Sequence, residues 1–167
     1  VATNPDLSPK GPPIEMMVEG ARPDFEVIDA TTVRYTWPAP NPEFLPALAR
    51  ARPVYIYMPA HYMQRFHGDH AEPGALADRV AAENARDWAE LHSRKDNLYK
   101  FDNPDLPVLQ PWRNTSARNS QRYLLERNPF FHRVDRAGRQ LPYVDGVELE
   151  IAAPGLIPLK VTLGQAG

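Results

Sequence analysis

The densest concentration of chemically capable side chains is the run HYMQRFHGDH, which places His61, His67, Asp69 and His70 close together in the chain. Neutral imidazoles and carboxylates ligate zinc or nickel, and His67 and His70 could share one helical turn. The spacing H-x5-H-x-D-H nevertheless matches no established zinc signature, and it lacks the glutamate base between helical histidines that metalloproteases use. A His-rich helix end also interacts favourably with the negative end of the helix dipole. The run therefore reads as a surface helix terminus, and no metal is expected.

Other constellations are weaker. Glu148 and Glu150 lie two apart in an alternating run, so they point to one side and read as the solvent face of a strand. Nothing in their surroundings, or around Asp102 and Asp105, suggests the desolvation an acid–base pair needs. Ser93, Ser116 and Ser120 have no nucleophile-elbow context, and the glycines never form a dinucleotide or phosphate-binding loop. The segment PWRNTSARNSQR carries Arg113, Arg118 and Arg122 beside Trp112. That mixture could stack and pair with single-stranded nucleic acid, or form a polar loop or one wall of a small-ligand cleft. The net charge of −2 and pI near 6.2 argue against nucleic acid. No catalytic constellation survives, and no cofactor is expected.

The elements that would carry these residues are short. Nineteen prolines against nine glycines imply many brief elements joined by stiff connections. There are no cysteines, so disulfides, thiolate zinc sites and cysteine nucleophiles are excluded. No apolar run approaches the roughly 18–20 residues of a membrane span. The chain opens VATNPDLSPKGPP, without an initiator Met or a signal segment, and its start reads as a cut.

Residues 25–37, FEVIDATTVRYTW, contain two alternating runs around Asp29-Ala30-Thr31 and predict a strand pair, with Val33, Tyr35 and Trp37 on one face. PAPNP then breaks the strand. EFLPALARAR predicts a short helix with Phe44, Leu45 and Leu48 on one side, 54–58 a short β-like run, and Pro59 the start of another helix. A single long helix is expected from Ala75 to about Lys95, with a stripe of Ala77, Val80, Ala81, Asn84, Trp88 and Leu91. RYLLERN and VELEI predict paired strands, and the tail the start of a helix with Leu156, Leu159 and Leu163 on one face. The chemistry alone reaches a mixed α and β (α+β) globular piece.

One stretch is more specific. ERNPFFHRVDRAGRQLPYVDGVELEI, residues 126–151, resembles a segment of the extracellular solute-binding proteins of family 5, the receptors of ABC importers. In one branch of that family it runs approximately E-R-N-P-Y-Y-W-K-V-D, a turn, then N-Q-L-P-Y-I-D and an alternating strand. Glu126 to Phe131, Val134-Asp135 and Gln140 to Asp145 match it in order. NPDLSPKGPP, the strand pair, PAPNPEFL, PAHYMQRFH, DWAEL, the Leu-Pro-x-Leu-x-Pro-Trp step at 106–112 and LKVTLGQAG are also similar, so the resemblance covers nearly the whole chain. His132 stands where the family has Trp, and 113–122 is more basic than the usual joining segment.

The resemblance implies a partial lobe of the type II periplasmic-binding-protein fold, a mixed sheet with flanking helices. It implies one internal excerpt of the first lobe over 1–167, with the strand pair and helices in 1–110 and the joining segment, hairpin and helix start in 111–167. The function it implies is binding, without catalysis. A peptide or similar solute (an oligosaccharide or metal chelate among them) would be captured between two lobes and delivered in the periplasm to a membrane permease. Gln110, Trp112 and Arg113 fall near the position where the family meets its ligand, although Trp112 reads equally as packing between strands. Uncovered edges in an excerpt imply self-association. The alternatives are a sensor or chaperone on the same fold, and a small metal-dependent enzyme using His61, His67 and His70.

Overall fold

Alternation and a local turn signal produce the first hairpin. The computed structural model describes residues 2–50, 53–54, 56–100 and 102–165. Strands β1 (Asp24–Val27) and β2 (Val33–Thr36) pair antiparallel, with Phe25 opposite Tyr35 and Val27 opposite Val33. Asp29 closes the turn, its Oδ1 accepting from the Thr31 N–H at 2.8 Å and the Thr31 hydroxyl at 3.1 Å. The chain divides into two compact units, 1–94 and 95–167.

In the first unit, aromatic residues from the hairpin meet α1 (Phe44–Ala49). Trp37 lies 4.8 Å and Tyr35 5.4 Å, ring centre to ring centre, from Phe44. The Trp37 indole N–H donates to the Met16 carbonyl at 2.8 Å. The break PAPNP includes an Asx turn just ahead of α1, in which Asn41 Oδ1 accepts from the N–H groups of Glu43 and Phe44. On α1 the buried residues are Phe44 and Ala47, while Leu45 is exposed. The expected grouping of Leu45 with Phe44 is thus corrected, since residues one apart sit about 100° apart around a helix, whereas Ala47 at i+3 and the half-buried Leu48 at i+4 share the Phe44 face.

The expected run 54–58 includes Tyr55, which lies outside the described residues; Val54 and residues 56–58 form no strand. Pro59 caps α2 (Ala60–Met63), which tightens into a 3-10 turn, Gln64–Phe66. Tyr62, Met63 and Phe66 are buried there.

The single long helix expected from Ala75 to Lys95 is two helices, α3 (Pro73–Ala82) and α4 (Trp88–Lys95). Glu72 starts α3, accepting from the N–H groups of Gly74 and Ala75 at 3.0 and 2.6 Å, with Pro73 next in line. Asn84 stops it by adopting a left-handed backbone, φ 49°, while the Ala85 N–H reaches back to the Val80 carbonyl. A new N-cap follows at once: Asp87 Oδ1 accepts from the Glu90 N–H, and Glu90 accepts from the Arg86 N–H. The apolar spacing continued across this break, but the capping residues end one helix and begin another. The expected stripe changes with it, since Leu76 and Leu91 are buried while Ala77, Ala81 and Asn84 are exposed.

The second unit holds an antiparallel sheet of β3 (Trp112–Asn114), β4 (Arg122–Arg127) and β5 (Gly146–Glu150), with β4 central. Leu125 faces Val147 on β5 and Asn114 on β3. RYLLERN and VELEI therefore pair as their alternation predicts. Glu148 and Glu150 form the outward face, ion-paired to Arg122 and Lys160. A last helix, α5 (Ile157–Thr162), leaves Leu156, Leu159 and Leu163 exposed. Both sheets are antiparallel and small, of two and three strands.

Candidate functional site

The segment leading into β3 is held by one asparagine. Asn128, only 6% exposed, sends its side-chain amide to the carbonyls of Val108 at 3.1 Å and Gln110 at 3.0 Å. Its Oδ1 accepts from the Phe130 N–H at 3.0 Å, and its own N–H donates to the Pro111 carbonyl. Proline-rich segments lack ladder partners, so these side-chain bonds take the place of sheet pairing along 108–111.

Gln110 and Trp112 emerge from that clamp side by side. Together with Asn97, Asn103, Asn114 and Leu125 they line a narrow cleft of about 30 Å³, little more than one water molecule occupies. The Trp112 indole N–H donates to the Val144 carbonyl at 3.2 Å. Arg113 alternates to the opposite face of β3, where its guanidinium pairs with Glu126 at 3.1 Å. Arg122 is likewise paired, with Glu148. Arg113 and Arg122 of the basic joining segment are thus engaged by carboxylates of the same sheet.

The hairpin beyond β4 is built from the residues that carried the resemblance. Asp135 accepts from the N–H groups of Ala137 and Arg139, from the Arg139 guanidinium, and from the Tyr143 hydroxyl at 2.5 Å. The Tyr143 bond, followed by those from Arg139 and Ala137, holds the Asp135 carboxyl down at about 2. Gln140 ties back to the carbonyls of Pro129 and Phe131. Gly138 takes the left-handed conformation the turn requires, φ 79°. His132 sets its ring against Phe131 at 5.0 Å and is exposed.

In the first unit, ring contacts join His67 to His70 (4.8 Å), Trp88 (5.0 Å) and His92 (5.7 Å). His61 takes no part in these contacts. No group of three or more His, Asp or Glu side chains is arranged to hold a metal ion among the described residues. Sequence reasoning missed His92, which lies far along the chain on α4. A separate hollow of about 430 Å³ is lined by Met16, Arg22, Phe25, Tyr35, Tyr57 and Met58 among others, and no motif marked it. Asn128 was visible only as part of E-R-N-P.

No family model matches the chain, and neither does any curated protein. Among solved structures, the oligopeptide-binding protein OppA matches with a TM-score of 0.78 and 29% identity, over 99% of this chain and 25% of that one. The periplasmic binding protein MelB from Agrobacterium fabrum C58, in complex with stachyose, matches with a TM-score of 0.62 and 20% identity, over 93% of this chain and 20% of that one. The chain thus spans a quarter or less of the length of these proteins. Along nearly its whole length the chain shares the fold of one part of these solute-binding proteins.

Proposed function

We propose that these residues belong to the solute-binding component of an ABC importer, part of its first lobe, which captures a peptide or similar small solute and presents it to a membrane permease. The observation that carries this reading is the likeness to the oligopeptide-binding protein along 99% of the chain. It gains support from the hairpin, whose resemblance-bearing residues act as a scaffold for the neighbouring segment. The protein is exported to the periplasm and works by binding, with ligand contacts from two lobes favouring closure. Gln110 and Trp112 line the same cleft, too narrow for a solute, and in this reading mark the edge against which ligand rests; Arg113 contributes from the other side of β3 if Glu126 releases it.

Titration calorimetry of the whole gene product against a pool of short peptides, a raffinose-type oligosaccharide and a nickel chelate tests this. Micromolar binding of one class, weakened in Trp112→Ala at unchanged melting temperature, is the expected result. Absence of binding to all three would refute it.

A further inference from the structure

Three imidazoles from two distant stretches of sequence meet in the first unit. His67 follows the 3-10 turn Gln64–Phe66, His70 follows three residues later, and His92 is one of two inward residues of α4, 2% exposed. Trp88, one turn earlier on α4, packs on the His67 ring. Gly68 lets the chain approach so closely that a Cβ there would lie 2.9 Å from the indole. We propose that this cluster, with His67 between His70 and His92, is an acid-sensitive latch, fastening α4 to the 64–70 segment while the His67 and His92 imidazoles are neutral and loosening it when those two take up protons. The inference is independent of the transport reading.

The charged surroundings decide the direction. Asp69 reaches His67 only at 3.8 Å and is itself largely exposed, and Asp6 is the other carboxylate that favours a charged His67. α3 offers this region Leu76 and Val80, while its Arg79 is engaged on the Arg65 carbonyl. On α4, Glu90 and Arg94 pair with each other. Countercharge is therefore thin, whereas each imidazolium would repel its neighbour at ring-contact distance. Burial, and then the charge of His70, lowers the His67 pKa; burial, and then His67, lowers that of His92 to about 4.

A folded pKa below the unfolded 6.5 means the unfolded chain binds protons first. The latch is fully fastened above that value and weakens as pH falls toward about 4. Over that window the opening constant of α4 rises about 100-fold from His92 alone.

Amide hydrogen exchange of α4 from pH 7.5 to 4, corrected for intrinsic rates, reads this opening. The comparison with His92→Leu separates it from carboxylate titration. The wild type should lose protection through the window, and the variant should lose roughly 100-fold less. NMR titration of the wild-type imidazoles provides a second readout that needs no variant. His92 titrating at or above 6.5, or identical pH dependence in both proteins, would overturn the proposal.

Discussion

Replacing Asn128 with alanine removes three hydrogen bonds at one buried point. The Val108 and Gln110 carbonyls lose their donor, and the Phe130 N–H loses its acceptor. At about 1 kcal/mol of net stability per bond, the loss is about 3 kcal/mol, offset in part if water reaches the half-buried carbonyls. The bond from the Asn128 N–H to the Pro111 carbonyl survives, so the strand should remain in place while the 108–111 segment loosens. Asn128→Asp sharpens the test, because it directs a carboxylate at two carbonyl oxygens and should cost more than alanine despite preserving shape. Urea unfolding of the second unit, followed by NMR amide intensities, measures both. A loss below about 0.5 kcal/mol in Asn128→Ala, or an aspartate variant as stable as wild type, would refute the clamp.

Gly68→Ala forces its Cβ to 2.9 Å from the Trp88 ring and should cost about 1–3 kcal/mol, read by thermal melting together with a shift in indole emission. Burial holds the Asp96 carboxyl up at about 6, so the folded state takes up the proton before the unfolded state at 3.8. The charged form is therefore penalised above pH 6, and Asp96→Asn should stabilise by about 1 kcal/mol at pH 7.5, an advantage that vanishes near pH 4 in denaturant melts. Tyr143→Phe deletes the largest influence on Asp135, whose pKa should rise from about 2 toward 3.8 in a carboxyl NMR titration. Because that folded pKa is depressed, the wild-type contribution is present above 3.8 and lost as pH falls toward 2.

Elements whose signals are local were legible in the sequence. The β1–β2 hairpin follows from two alternating runs and an aspartate turn, and β4–β5 from RYLLERN and VELEI. The break at Asn84 was hidden because apolar spacing persisted through it, and periodicity does not register a left-handed residue. β3 was hidden for another reason: three residues after a run of prolines form a strand only because β4 supplies a partner. The candidate site shows the same division. Gln110 and Trp112 stand out in the sequence only through the resemblance, and the segment that brings them to a common cleft is tied by Asn128, many residues later in the chain. His92 carries no sequence signal pointing to His67, since only the packing of α4 brings them together.

The turn from 133 to 141 closes on itself. Asp135 and Gln140 satisfy its polar groups, while the segment bearing Gln110 is tethered below it at Asn128. The charge of the exposed Arg136 can therefore change without reaching the cleft, whereas Ala137, Gly138 and Arg139 are held by the turn itself. Arg136, exposed at the tip and outside these bonds, is thus a permissive attachment point for a fluorophore that leaves the architecture beneath undisturbed.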